Sequence, residues 1–136
     1  MSTRLQERIE KVQLLIEKLA TDASKGCLII VEGQKDYRAL QRLGINGKIL
    51  TAKTSKKSFL DLTAEIERHP SPQVILLLDF DRRGKELTKR LVQHLETTRI
   101  KTNKDYWTEL QVLIGHDVKD IEGIPTYLTT LNQKLA

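Results

Sequence analysis

Asp79 and Asp81 stand two residues apart where an apolar run, residues 74–78, gives out. On an extended backbone an i, i+2 pair projects to one side, so the two carboxylates lie close together. Like charges that close repel, and each raises the other's pKa unless a cation sits between them. One or two carboxylates completed by water is the usual way to hold Mg²⁺, a hard ion that prefers oxygen. The pair has a plainer reading too, in which Asp79 caps the following helix and Asp81 is solvated. Glu32 ends a second wholly apolar run, residues 27–31, directly before Gly33. An acid closing one buried strand is common; acids closing both such strands are not. If the two strands are neighbours, three carboxylates converge, and a bound divalent cation or a raised pKa follows.

Length and composition set the frame. A chain of 136 residues fits one domain with one good hydrophobic core. Apolar content of 39% and charged content of 30% describe a soluble globular chain rather than a disordered one. No apolar run approaches the ~20 residues that cross a bilayer. The amino terminus is charged and amphipathic, with no secretory signal visible, so a cytoplasmic protein without membrane contact is expected. The single cysteine, Cys27, excludes an internal disulfide and a multi-cysteine zinc site, and reads as core. Lys and Arg exceed Asp and Glu by 23 to 18, a net +5 that leans toward polyanions such as nucleic acid. Aromatics at 4% provide little for extended base stacking.

The elements that must position the acids follow from hydrophobic spacing. Leu5, Ile9, Val12, Ile16 and Leu19 predict an amphipathic helix over residues 3–20, with Thr3 and Gln6 as a capping box and Leu14 and Leu15 widening its stripe. This helix (residues 1–24) is expected to pack on a single α/β domain (residues 25–136); pairing into a homodimer is the other use for it. Strand 27–31 leads to a helix over 35–43 that Gly44 terminates, then to a short strand at 48–50. A polar loop follows with Lys53, Lys56 and Lys57, then a helix from Phe59 to the His69–Pro70 stop. Strand 74–78 precedes a helix over 83–96. Residues 109–114 read as a fourth strand, 115–123 as a polar loop, and Pro125 as the first turn of a last helix. Strands alternating with helices imply a mostly parallel sheet covered on both faces. Ligands of such sheets sit beyond the carboxyl ends of the strands, where Glu32, Asp79 and Asp81 fall.

The segments Val-Glu-Gly-Gln-Lys-Asp (residues 31–36) and Leu-Asp-Phe-Asp-Arg-Arg-Gly (residues 78–84) resemble the two signatures of the Toprim family. That family includes the catalytic domains of bacterial primases and of type IA and type II topoisomerases, the ribonuclease that matures 5S ribosomal RNA, and small stand-alone proteins. The similarity spans about residues 25–113, and the total length is most like the stand-alone proteins and that ribonuclease's domain. The resemblance implies a Rossmann-like fold of about four mostly parallel strands. It also implies Glu32 as general acid/base, Asp79 and Asp81 as holders of Mg²⁺ or Mn²⁺, and a nucleic-acid substrate. Gly33, Asp36 and Gly84 match as structural positions. Mg²⁺-dependent phosphodiester cleavage or phosphoryl transfer, of an RNA-processing nuclease kind, is the leading expectation. The alternative is a nucleic-acid-binding module that keeps the metal site without turnover, or needs a protein partner to grip substrate.

Phosphoryl transfer fits these residue types independently. Charge on the non-bridging oxygens must be neutralised, and a proton must be supplied to or taken from a sugar oxygen. Arg82, Arg83 and Lys85 beside the aspartates, Lys35 after Glu32, and Lys53, Lys56 and Lys57 on the loop are candidates for phosphate binding, the loop lysines reading equally as a solvated charge run. His69, His94 and His116 share no ligand spacing, and only His116 falls in the loop nearest the site. Asp117, Asp120 and Glu122 in that loop read as solvated, with a further metal contact as the other reading. Asp36 is expected to pair with a basic neighbour. Tyr37, Tyr106 and Tyr127 do not make a topoisomerase, because the strand-breaking tyrosine of that family belongs to a separate domain.

Overall fold

The computed structural model describes residues 2–53 and 57–135, with side chains from residue 4 onward. Six helices and four strands alternate along it: α1 (Ser2–Ser24), β1 (Leu28–Val31), α2 (Gln34–Arg42), β2 (Ile49–Thr51), α3 (Phe59–Glu67), β3 (Val74–Leu77), α4 (Arg82–Thr97), β4 (Thr102–Asn103), α5 (Asp105–Ile114) and α6 (Ile124–Leu135), with a 3₁₀ turn at Ile121–Gly123. The strands form one sheet in the order β2-β1-β3-β4, and every pairing is parallel. This is the expected α/β architecture.

The alternation of side chains along β1 and β3 divides the core in two. Ile29, Val31, Ile75 and Leu77 face a layer that includes Val12 and Leu19 of α1, Leu40 of α2, Leu110 of α5 and Leu128 of α6. Leu28, Ile30, Leu76 and Leu78 face the other way, onto Leu62 and Ile66 of α3 and Leu91 and Leu95 of α4. Both faces are covered, which is why these two strands are apolar throughout. Cys27 is a buried free thiol in the first layer.

Residues 109–114 are not a strand. They belong to α5, where Trp107, Leu110 and Ile114 turn inward at helical spacing while Val112 is 77% exposed. The Val-Leu-Ile run at its end masks a 3.6-residue period. The fourth strand lies earlier, at Thr102–Asn103, opposite Val74 and Ile75. Asn103 then accepts the N–H of Asp105 with its side chain and starts α5. At the other end, α1 begins at Ser2, ahead of the expected cap, and extends through Ser24 rather than stopping near Ala20. The side chain of Thr3 and the whole of Lys56 lie outside the described residues. Gly44 follows α2 with φ +83, the left-handed position that ends a helix.

Trp107 fixes α5 against the sheet. Its buried Nε1–H donates to the carbonyl of Leu78 at 2.7 Å, the peptide just before Asp79. Trp107→Phe keeps most of the apolar packing and removes that donor. A loss of about 1–3 kcal/mol is expected for a buried acceptor stripped of its partner. Urea unfolding, read as a lower midpoint at unchanged slope, measures it.

Candidate metal centre

Glu32 and Asp79 are brought together by sheet register. Val31 pairs with Leu77 across neighbouring strands, so both chains leave the sheet at the same level. The helices that follow go to opposite faces, α2 to the layer of α1 and α4 to the layer of α3. The gap between β1 and β3 is therefore the switch in chain direction where an open parallel sheet offers a crevice. One oxygen from each of Glu32, Asp79 and Asp81 lies within 4.8 Å of the other two.

The three acids differ in environment. Glu32 is 4% exposed, and Lys53 from the chain after β2 meets its Oε2 at 2.7 Å. That contact holds the Lys53 ammonium above its ordinary pKa. Asp79 is half-buried, and its Oδ1 has no hydrogen-bond partner among the described residues. Burial, followed by the charges of Glu32, Asp36, Asp120 and Asp81, pushes its carboxyl up to about 7. Asp81 is exposed and caps α4, its Oδ1 accepting the Gly84 N–H at 2.8 Å. The helix cap is thus Asp81, not Asp79. A buried carboxylate oxygen with no donor among the described residues, beside two further carboxylates, is a donor set suited to a hard divalent cation. Lys53 supplies one positive charge to a group of three negative ones, so a divalent ion remains electrostatically welcome.

A second trio adjoins the first. Oxygens of Asp36, Asp120 and Glu122 also fall within 4.8 Å of one another. Asp36 is buried but satisfied: Oδ2 accepts from the Gly33 N–H at 3.0 Å and Oδ1 from the Glu122 N–H at 2.8 Å. Its partners are backbone amides, not the basic residue expected. The bond to Glu122 ties the start of α2 to the 3₁₀ turn, and Phe80 N–H donating to Lys119 C=O at 2.8 Å draws the same loop against the aspartate segment. These two backbone contacts hold residues 115–123 against the site, while the side chains of His116, Asp117, Lys119 and Glu122 stay exposed, as expected of a polar loop. Within it, Asp120 caps the 3₁₀ turn through Gly123 N–H, and Asp117 turns to Arg8 and the Tyr127 hydroxyl.

The basic candidates separate. Lys35 and Lys53 line a shallow cavity together with Glu32, Asp36, Asp79 and Glu122. Arg83 is near enough for its charge to act on Lys53. Arg82 is paired with Glu86 on the outer surface of α4, and Lys85 is exposed. Lys57 is committed elsewhere, to Glu65 at 2.7 Å and to the Thr51 carbonyl at 2.8 Å. Arg38 and Arg42 were not singled out by any motif, yet with Lys35 they line a depression that shares Lys35 and Glu122 with the site cavity. Their i, i+3, i+7 spacing on α2 is the sequence signal for it. His94 packs edge-on against Phe59 and faces Glu67, His69 is half-buried, and His116 is exposed.

Comparison with known proteins agrees with this geometry. The profile of the Toprim domain matches residues 27–109. A UPF0292 protein of Methanocaldococcus jannaschii is 36% identical over 92% of this chain and 95% of its own length. Another, from Methanosarcina acetivorans, is 32% identical over 94% of this chain and 87% of its own. A solved structure described as a putative protein from Aquifex aeolicus superposes with a TM-score of 0.65 at 25% identity, covering 79% of this chain and 93% of that one. Among the described residues no helix is long and apolar enough to cross a membrane. The chain belongs to the Toprim family, among its small UPF0292 members.

Proposed function

We propose that this protein carries out Mg²⁺-dependent phosphodiester chemistry on nucleic acid, cleaving a structured RNA or DNA strand. The observation that carries the reading is the meeting of Glu32, Asp79 and Asp81 within 4.8 Å, with a buried Asp79 oxygen that has no donor among the described residues. Asp79 and Asp81 would hold the cation. When bound, it supplies charge neutralisation at the non-bridging phosphate oxygens.

The chain's own residues do the rest. Glu32, buried at the floor, takes or gives the proton of the sugar oxygen. Lys53 must first release it, and its side chain is 53% exposed, free to swing from the carboxylate to a substrate phosphate. Lys35, Arg38 and Arg42 extend positive charge away from the cation along α2, a path suited to the phosphates of one strand. Arg83 offers a further contact on the α4 side.

The test is cleavage by the full chain with Mg²⁺ or Mn²⁺ across structured RNA, single-stranded RNA and duplex DNA. Glu32→Gln is expected to lower the rate by about 10²–10⁴-fold, the usual weight of a proton-transfer group, and Asp79→Asn by about 100-fold or more through loss of a cation ligand. Activity that survives both substitutions removes the assignment. One observation favours a second reading, a binding module without turnover: the Lys53 ion pair occupies the carboxylate that would handle the proton. Salt-dependent binding with no cut across the same substrates would select it.

A further inference from the structure

We propose that Lys53 is a tethered stand-in for the divalent cation: its ammonium and the cation exclude each other from Glu32, so that loading of the acid trio is what frees Lys53 for a substrate phosphate. This rests on the phosphodiester function proposed above and adds an order to it, cation before strand. The pairing is built in by the sheet. Beyond the register of Val31 with Thr51, the Ala52 N–H donates to the Val31 carbonyl and the Lys53 N–H to the Glu32 carbonyl, both at 2.8 Å. The backbone of Lys53 is thus fastened to the residue whose carboxylate its ammonium meets at 2.7 Å.

The two partners differ in freedom. The side chain of Glu32 is 5% exposed and that of Lys53 53%, so the ammonium is the group that can leave. Lys57 makes the contrast. Its side chain is 16% exposed, pairs with Glu65 and donates to the Thr51 carbonyl, which holds it in place. Lys53 has Glu32 as its one ion-pair partner among the described residues. Glu32 in turn needs a positive neighbour, because an ionised carboxylate buried alone is costly. Lys53 meets that need with a single charge. A divalent ion drawn to three carboxylate oxygens within 4.8 Å of one another meets it with two, and cations crowded on one carboxylate repel. Glu32 therefore holds one or the other. Once released, the ammonium remains over the cavity that it lines with Lys35, where charge-assisted hydrogen bonds to phosphate oxygens replace the lost pair.

Calorimetric titration of the full chain with Mn²⁺, with no nucleic acid present, tests it. Lys53→Met removes the competitor and is expected to tighten Mn²⁺ binding by about tenfold, the weight of one charge-assisted hydrogen bond. In a Glu32→Gln background nothing is left to compete for, and the same substitution is expected to change the constant by less than about twofold. On the unaltered chain, Mg²⁺ is expected to raise several-fold the rate at which acetic anhydride modifies Lys53, with exposed Lys48, just ahead of β2, as the steady reference. Equal tightening in both backgrounds would make Lys53 a general repulsive charge and overturn the proposal. So would wild-type affinity in Lys53→Met, or modification of Lys53 that ignores a bound cation. A chain that takes up no Mn²⁺ removes the metal site and this proposal together, whereas one that binds Mn²⁺ but fails these readings loses only the role given to Lys53.

Discussion

Asp79→Asn is expected to stabilise the metal-free protein well above pH 7 while weakening divalent-cation binding by at least about 100-fold, since even loss of an outer partner costs a metal site 10–100-fold. Asp79 is the strained member of the trio. Burial and the neighbouring acids raise its carboxyl from 3.8 to about 7, which means that its ionised form is disfavoured in the folded chain. Between those two values the folded state keeps a proton that the unfolded state has released. Stability of the metal-free protein therefore falls as pH rises from about 4 to about 7, and is flat beyond. A shift of three units at full weight is about 4 kcal/mol, and solvent screening of a half-buried group reduces it to about 1–2 kcal/mol. The amide is isosteric and carries no charge, so the variant loses this pH dependence. Thermal melts at acidic and alkaline pH, with and without chelator, measure it. A bound cation must displace the same proton, so below about pH 7 the wild-type affinity for Mn²⁺ is expected to weaken by up to about tenfold per pH unit. Calorimetric titration with Mn²⁺ alone reads that slope. A variant less stable than wild type at alkaline pH would mean that Asp79 makes a favourable contact as an anion, and the electrostatic account of the site would fail.

What could be read from residues alone was what sheet burial and helical spacing write into the chain. β1 and β3 are central strands covered on both faces, so they are continuous apolar runs, and their carboxyl ends announce Glu32 and Asp79. β4 could not be read that way. It has only two residues, Thr102 and Asn103, both polar, and is defined by its hydrogen bonds to β3. The β-branched and leucine residues at 112–114 drew the strand assignment instead, although Trp107, Leu110 and Ile114 already stood at helical intervals. At the site, what escaped the sequence was non-local. Asp36 finds its acceptor role at Glu122 N–H, 86 residues away, and Lys53 finds Glu32 across the sheet edge. No local pattern encodes such pairs, because the fold supplies the proximity. Lys57 shows the converse: adjacency in a basic run suggested phosphate binding, while Glu65 one helix on provides a partner.

The two glycines that follow the signature acids look equivalent in sequence and should not behave alike. Gly84 lies buried in the first turn of α4, packed on the backbone of Asp79. A Cβ there would stand 2.1 Å from the Asp79 carbonyl oxygen, 2.7 Å from its carbon and 3.0 Å from its nitrogen. None of these is a flexible side-chain end, so either α4 lifts or the Asp79 peptide moves. Overpacking of this kind costs about 1–3 kcal/mol and occasionally more. The position also donates its N–H to Asp81 Oδ1, so a shift at Gly84 moves both aspartates relative to Glu32. Gly84→Ala is thus expected to lower the melting temperature and to weaken Mn²⁺ binding by about tenfold or more, since displacements near 1 Å are enough to disable a positioned site. Gly33 is different. Its φ of −143 is open to any residue, and a Cβ would come no closer than 4.0 Å to Asp36 Oδ2. Gly33→Ala is expected to cost about 0.5–1 kcal/mol, because alanine is a poorer N-cap than glycine, with no steric clash added. Its Mn²⁺ affinity should stay near that of the wild type. Paired titrations and melts of the two variants decide the matter. If Gly84→Ala binds Mn²⁺ as the wild type does, close packing of α4 on the Asp79 peptide is not what holds the aspartates in register.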